Sequence, residues 1–96
     1  MKVQLLDEAE QDLMDGHRFY EAQQAGLGDY FLDSLFSDID SLQLFAGIHR
    51  RHLGFYRLLS NRFPFAIYYR IEGETVYVHA VLDCRRDPGA IRERLI

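Results

Sequence analysis

The arginines near the end of the chain are the residues whose type and spacing could do chemistry. Arg85 and Arg86 stand together between Asp83 and Asp87, and Arg57 lies upstream in an apolar, aromatic segment. Guanidinium groups bind phosphates and carboxylates through paired hydrogen bonds and stabilise charge that develops on a phosphate. The flanking aspartates offer a second interpretation, in which they pair with Arg85 and Arg86 and make both arginines structural. The sequence leaves these two readings open.

The segment 65–83 predicts a β-hairpin whose two faces differ in chemistry. Gly73 accepts the positive φ of a tight turn, so we expect the turn at residues 72–73. Alternation with period two then gives a core face and an opposite, polar and aromatic face. The core face would pair Tyr69 with Val76, Ile67 with Val78 and Phe65 with Ala80. The opposite face would pair Arg70 with Thr75, Tyr68 with Tyr77 and Ala66 with His79.

The polar face of this hairpin is a candidate surface for a target or substrate. His79 titrates near neutral pH and could move a proton, while tyrosines can stack on bases. The alternative is that the tyrosines pack across the strands and His79 is a spacer. We expect the surface to consist of Arg70, Tyr68, Tyr77, His79 and Arg85.

Metal and thiol chemistry have weaker support. His49 and His52 have a spacing that is seen in metal sites, but no cysteine or carboxylate lies near them in the sequence. We therefore predict no metal and no cofactor. Cys84 could act as a nucleophile beside Arg85 and Arg86, although a passive thiol at the end of a strand is the commoner arrangement.

The elements that must position these residues predict an α+β fold. A strand at 2–6 leads into a helix from Glu8 to about Gln24, with Asp7 and Glu10 in a capping-box arrangement. Gly26 and Gly28 separate this helix from a second one, and the pair forms a helical hairpin. The remaining segments predict a three-stranded antiparallel meander, with the helices packed on one sheet face and function on the other. The expected bounds are 29–45 for the second helix, 52–59, 65–71 and 75–83 for the strands, and 89–95 for a short helix after Pro88.

Composition indicates one domain over residues 1–96. The chain is 48% hydrophobic and contains one cysteine, so it can build a core without an internal disulfide. Its apolar runs are far shorter than the roughly 18 residues that span a bilayer, and its start does not have the pattern of a signal peptide. These features predict a cytoplasmic protein with no membrane partner.

The charge is divided unevenly between the two halves of the chain. Residues 1–49 carry ten acidic and two basic side chains, a balance of −8, and residues 50–96 carry five acidic side chains and nine arginines, a balance of +4. The basic half could meet an anionic partner. Equally, acidic helices could offset a basic sheet within one domain.

Four short segments in a fixed order span nearly the whole chain. They are Phe19-Tyr-Glu21, Gly26-Leu-Gly-Asp-x-Phe-Leu32, Arg62-Phe-Pro-Phe-Ala-Ile-Tyr-Tyr-Arg70 and Val81-Leu-Asp-Cys-Arg-Arg-Asp-Pro88. Together they resemble the RelE/ParE superfamily of toxins from type II toxin–antitoxin modules, which include plasmid stabilization systems. The resemblance implies the strand, helical hairpin and meander described above, a cognate antitoxin that wraps and neutralises the toxin, and growth arrest when the antitoxin is lost.

Two kinds of activity occur in the superfamily that this chain resembles. RelE-like members are ribosome-dependent endonucleases that cut mRNA, and ParE-like members bind and poison DNA gyrase. Arg57 and Arg86 match basic positions of RelE-like enzymes and would clamp the scissile phosphate if the protein were a nuclease. However, Phe65 stands where those enzymes have a further catalytic arginine, and residues 89–96 lack their tyrosine. An acidic first half also suits an RNA-directed protein poorly.

The resemblance therefore favours a ParE-like toxin that binds DNA gyrase. An mRNA endonuclease is the alternative, and a decayed toxin that retains only antitoxin binding is a third possibility. The expected partners are the antitoxin, in a toxin–antitoxin hetero-oligomer, and gyrase or the ribosome with mRNA as target. Phe36, Phe45 and Phe55 are expected either in the core or in the antitoxin docking surface, which would accept an amphipathic helix.

Overall fold

The computed structural model of residues 1–96 is an α+β sandwich around a five-stranded sheet. The strand order is β1-β5-β4-β3-β2, with β1 parallel to β5 and the other neighbours antiparallel. Two long helices cover one sheet face and a short helix lies on the other. None of the helices combines the length and the apolar composition that crossing a bilayer requires. The elements are β1 (Lys2–Leu5), α1 (Asp7–Gln23), α2 (Leu27–Phe45), β2 (Arg50–His52), β3 (Phe55–Leu59), β4 (Phe65–Glu72), β5 (Thr75–Asp83) and α3 (Pro88–Leu95).

Helices α1 and α2 form the expected helical hairpin. Their buried residues recur at three- and four-residue spacing, so each helix turns one apolar stripe to the sheet. Gly16 lets the helices approach closely, since a Cβ there would lie 2.5 Å from the Phe31 ring. At the junction, the Glu21 carboxylate accepts hydrogen bonds from the backbone N–H groups of Gly26 and Gly28, at 2.8 and 2.9 Å. This contact holds the start of α2 against α1.

The start of α1 differs from the prediction. Asp7 is already the first helical residue, and Leu6 is the N-cap, which makes no side-chain capping bond. The predicted capping box of Asp7 and Glu10 is therefore wrong. At this end, Leu6 N–H donates instead to Val78 O at 3.0 Å, so the sheet holds the chain as the helix begins.

The sheet has an apolar cluster on each face. The larger cluster lies under α1 and α2 and contains Phe65, Ile67, Tyr69, Val76 and Val78, as expected from the alternation. The smaller cluster lies under α3, whose Ile91 and Leu95 pack over the other face. The face on which function was expected is therefore covered in part by α3. Its strand residues are Phe55, Ala66, Tyr68, Ala80 and Leu82.

The hairpin register differs from the prediction by a moved turn and a bulge. Glu72 pairs with Thr75 and Tyr69 pairs with Val78, so the turn is Gly73-Glu74 rather than 72–73. This change moves each partner by two residues and therefore keeps every side chain on its predicted face. Beyond Tyr69 the register shifts once more, because Tyr68 pairs with Ala80 and His79 has no opposite residue. The bulge places Ala80 on the α3 face, so its predicted pairing with Phe65 on the core face is wrong.

The predicted single strand 52–59 is a hairpin of two strands. Strand β2 pairs with β3 around Leu53 and Gly54, whose φ values of 52° and 84° form the tight turn. The antiparallel part of the sheet thus has four strands instead of three. Arg57 lies opposite Tyr68 in the neighbouring strand, so it points to the α3 face.

Candidate functional site

The candidate site is a groove between the β2–β3 hairpin and the start of α3, which we name the arginine groove. It has a volume of about 450 Å³. Strand β3 supplies one arginine, the turn after β5 supplies a second, and α3 supplies a third. The lining residues are His52, Leu53, Arg57, Tyr68, Cys84, Arg86, Pro88, Gly89, Ile91 and Arg92.

Arg57 forms the floor of the arginine groove. Its side chain is half-buried, with Nε donating to the Tyr68 hydroxyl at 3.3 Å and Nη2 lying 3.6 Å from the Cys84 sulfur. Partial burial is the largest single effect and works against the charged form, but the contacts with Tyr68 and Cys84 together outweigh it and raise the pKa of Arg57. Arg57 is therefore cationic at any physiological pH, and no carboxylate pairs with it.

The two adjacent arginines after β5 have different roles. Arg85 donates from Nε and Nη2 to the Asp83 carboxylate, at 3.0 and 2.7 Å, and its pKa is raised by this contact. Arg86 makes no side-chain hydrogen bond and no ion pair, and it is exposed at the edge of the groove. Pairing with an aspartate therefore holds for Arg85. Arg86 contacts no carboxylate directly, but it also lines a cavity with Asp15 and Asp83, and its charge helps to lower the pKa of both.

The polar face predicted for the hairpin is split by the packing of α3. Tyr68 is only 1% exposed, so the expectation that it lies on an open surface is wrong. Arg70 and His79 line a separate cavity of about 660 Å³, where both contact the Phe55 ring, at 4.1 Å from the Arg70 Cζ and 5.1 Å between ring centroids. Burial and the charge of Arg70 lower the pKa of His79. Tyr77 is half-buried and pairs with Arg70 across the strands.

The two histidines near β2 lie on opposite faces of the sheet. The Nδ1 atom of His49 is 2.6 Å from the hydroxyl of Tyr69, whose ring belongs to the cluster under α1 and α2. His52 lines the arginine groove, and its ring is 6.1 Å from that of Tyr68. The structure therefore does not bring His49 and His52 together.

Sequence reasoning missed His52 and Arg92 as groove residues. His52 had been considered only as a partner of His49, because the turn at Leu53 and Gly54 was not recognised. Arg92 lies on a short helix whose position cannot be read from local periodicity. Gly54 was the one available signal, since glycine accepts the positive φ of a tight hairpin turn. Leu53 also has a positive φ there, which leucine rarely adopts, so the turn has no recognisable sequence signature.

The three aromatic residues with an open assignment have different environments. Phe55 is 3% exposed and belongs to the core under α3, whereas Phe36 and Phe45 are 40% and 53% exposed. Phe65 is 7% exposed beneath the long helices. At this position of β4 the chain therefore contributes no cation to the arginine groove.

Comparison with known proteins identifies the family. The family model described as ParE toxin of type II toxin–antitoxin system, parDE, matches residues 3–88. The chain belongs to the ParE toxin family. Membership makes it the toxin component of a type II toxin–antitoxin module, nearer to the ParE-like than to the RelE-like kind.

A solved structure supports the fold of this ParE toxin. The structure described as "Chromosomal ParDE TA system from P. aeruginosa" aligns with a TM-score of 0.78 at 20% sequence identity, over 84% of this chain and 92% of that chain. Curated proteins give no match. The shared arrangement confirms the predicted strand, helical hairpin and antiparallel sheet, with the helices on one sheet face.

Proposed function

We propose that this ParE toxin arrests growth by binding DNA gyrase and that a cognate antitoxin neutralises it. The observation that carries the proposal is the ParE family match over residues 3–88. The catalytic set of RelE-like enzymes is incomplete in the chain: Phe65 is buried in the core, and residues 89–96 contain no tyrosine. Binding to a protein target requires no such set.

The arginine groove supports target binding. Its exposed Arg86 and Arg92 have no ion pair within the protein, so their hydrogen-bonding capacity is available to a partner. Arginines beside aromatic side chains are typical of the residues that dominate binding energy in interfaces. The neighbouring Tyr68 and Arg57 are fixed by packing, which reduces the entropy lost on binding.

The antitoxin has a separate candidate surface at the end of α2. Leu44, Phe45 and Ile48 are 83%, 53% and 73% exposed, whereas the exposed Phe36 lies on the opposite flank of the same helix. An exposed apolar patch of this kind suits the apolar face of an amphipathic helix. Arg51 is exposed, pairs with Tyr56 on the sheet face of the long helices and would contact acidic residues of that helix, whereas Arg50 pairs with Arg57 and lies on the opposite face.

One observation favours the second candidate function, cleavage of mRNA. Arg57 and Arg86 share the arginine groove with His52. Two cations could hold a scissile phosphate while the histidine moves a proton, which are the elements that metal-free RNA cleavage needs. The nuclease alternative therefore places RNA cleavage in the same groove that the first proposal uses to bind gyrase.

Controlled expression without antitoxin separates the candidate functions. A gyrase poison causes double-strand DNA breaks and a damage response within one generation, while transcripts remain intact. Cleaved transcripts with undamaged DNA would instead establish the nuclease. No growth defect from a protein that still binds its antitoxin would show a decayed toxin.

The site is tested in the same assay with two substitutions of equal charge change. Arg86→Gln removes an arginine of the groove, and Arg62→Gln removes an exposed arginine on the loop between β3 and β4. We expect toxicity to fall for the first variant and to remain for the second. Equal toxicity of all three proteins would remove the groove from the function.

A further inference from the structure

Three metal-ligating side chains meet where the two long helices are joined, outside the arginine groove. His17 and Glu21 lie four residues apart on one side of α1, and Asp29 is in the first turn of α2. Their ligand atoms, one from each side chain, all lie within 4.8 Å of one another. No arginine or lysine forms an ion pair with either carboxylate. The cluster therefore offers one nitrogen and two oxygen ligands from two helices.

The spacing of the ligand atoms suits a small divalent cation. Nε2 of His17 lies 3.0 Å from Oδ1 of Asp29. Zinc binds imidazole nitrogen and carboxylate oxygen at about 2.0 to 2.2 Å, so two ligands of a tetrahedral ion are about 3.3 Å apart. The side chain of Asp29 is 79% exposed, so a small rotation about its own bonds can supply the missing separation. The ion would then lie where the hydrogen bond between the two side chains now is.

The backbone at the start of α2 orients the Glu21 carboxylate. Its two oxygens accept the N–H groups of Gly26 and Gly28, and each oxygen of an ionised carboxylate has a further lone pair for a second contact. A Cβ at Gly28 would lie 2.9 Å from Glu21 Oε1, so only glycine lets the carboxylate occupy this position between the helices. Hydrogen bonds of this kind hold the carboxylate ligands of metal sites in place.

The donor set favours a zinc-like cation over magnesium or calcium. Imidazole nitrogen suits zinc and its neighbouring transition metals, whereas magnesium and calcium prefer oxygen ligands alone. Two carboxylates supply the charge that one divalent cation balances. Three protein ligands leave a fourth position for water, and the partly exposed His17 and the exposed Asp29 keep that position accessible to solvent.

We propose that His17, Glu21 and Asp29 bind one Zn²⁺ ion, which joins the end of α1 to the start of α2. The sequence predicted no metal, because only the spacing of His49 and His52 was considered there. Asp29 comes close to the other two ligands only through the fold of the helical hairpin. None of the three ligands lines the arginine groove, so the inference does not depend on the proposed function.

The test titrates Zn²⁺ into the purified full chain, after treatment with a chelator and removal of any affinity tag. Calorimetry should show a saturable complex of one ion per chain, and the melting temperature should rise with Zn²⁺ concentration. The ring C–H signals of the four histidines are followed by NMR, and we expect those of His17 alone to shift. Mg²⁺ at the same concentration should leave both the signals and the melting temperature unchanged.

Matched substitutions show whether these side chains form the site. His17→Gln and Asp29→Asn should each weaken Zn²⁺ binding at least about tenfold, since each removes a direct ligand. His52→Gln removes an exposed imidazole of β2, and Asp40→Asn removes an exposed carboxylate about three turns further along α2. Both controls should bind Zn²⁺ within about twofold of the parent protein. Circular dichroism checks that each variant folds.

Three outcomes would overturn the proposal. They are the absence of saturable binding at about 0.1 mM Zn²⁺, a shift centred on a histidine other than His17, and equal weakening by His17→Gln and His52→Gln. In each case the contact of His17 with Asp29 would be a plain hydrogen bond between the helices. A protein that leaves DNA undamaged on expression but binds Zn²⁺ as described would refute the gyrase proposal and support this one.

Discussion

Arg94 of α3 and Asp12 of α1 form a bidentate ion pair across 82 residues of sequence, with N–O distances of 2.7 and 2.8 Å. The Asp12 carboxylate is buried, and its Oδ2 also accepts the backbone N–H of Val81 at 2.9 Å. Val81 lies in β5 beyond the last residue that pairs with β1, so the carboxylate takes the place of the missing strand. One side chain thus joins α1, the sheet and α3, and it fixes the helix that closes the arginine groove.

Asp12→Asn should destabilise the fold. The amide keeps the size of the side chain but leaves the largely buried Arg94 with only the exposed Glu8 as charge partner, at 3.3 Å, so we expect a loss of about 2 to 4 kcal/mol in unfolding free energy. Chemical denaturation measures the loss. Asp15→Asn is the control, because the direct contacts of Asp15 are with two exposed side chains, Arg18 and Gln11, and its loss should cost less than about 1 kcal/mol. Similar costs for the two variants would show that the buried pair carries no special weight.

Gly16→Ala tests the close approach of the long helices. Alanine normally stabilises a helix interior by up to about 1 kcal/mol relative to glycine. Here the new methyl group would lie 2.5 Å from the Phe31 ring, so overpacking should dominate and the variant should lose about 1 to 2 kcal/mol. The double variant with Phe31→Leu makes room for the methyl group. Its loss should be smaller than the sum of the single losses, and strict additivity would contradict the contact.

The helical hairpin and the strand faces were predictable because they depend on local pattern. Leu13 and Tyr20 in α1, and Leu35 and Leu42 in α2, recur with helical spacing, and the hairpin strands alternate with period two. The exact position of the hairpin turn was not predictable, because Gly73 suits either central position of a two-residue turn. The bulge at His79 has no glycine or proline to announce it. The sequence therefore did not predict that the bulge places Ala80 on the α3 face.

The candidate site was predictable only in part. Arg57 and Arg86 were selected because of their residue type and position in the resemblance, and the structure places both in one groove. The burial of Tyr68 depends on α3, whose position is set in part by the contact of Arg94 with Asp12. A contact between residues at opposite ends of the chain leaves no local periodicity. For the same reason Arg92 could not be assigned to the groove.

Stability should fall as the pH is lowered from about 7 to 5 because of two half-buried histidines. The Tyr69 hydroxyl accepts the N–H of Gly47 at 2.9 Å, so its proton is available for Nδ1 of His49, which the folded state keeps neutral. Burial lowers the pKa of His49, and burial with Arg70 lowers the pKa of His79. Below the ordinary histidine pKa of about 6.5, the unfolded chain therefore binds more protons than the folded protein. The free energy of unfolding falls as a result.

Substituting these histidines should flatten that dependence. Denaturation of His49→Gln and His79→Gln at several pH values should each show a smaller slope than the parent protein between pH 7 and 5, and the double variant the smallest. An unchanged slope in the double variant would exclude both side chains as the cause. Acidic residues with lowered pKa, such as Asp83 beside Arg85, act only at lower pH.

Ile48→Ser should weaken antitoxin binding without weakening the fold, if the apolar patch at the end of α2 is the docking surface. Ile48 is 73% exposed, so its loss should change the unfolding free energy of the free toxin by less than about 0.5 kcal/mol. Burial of this side chain under a partner contributes about 1.5 to 3 kcal/mol, which corresponds to a tenfold or greater loss of affinity for the cognate antitoxin. Leu59→Ser is the matched control, because Leu59 is 52% exposed at the end of β3, outside the patch. Calorimetric titration that found equal affinity losses for the two variants, or none for Ile48→Ser, would place the antitoxin elsewhere on the protein.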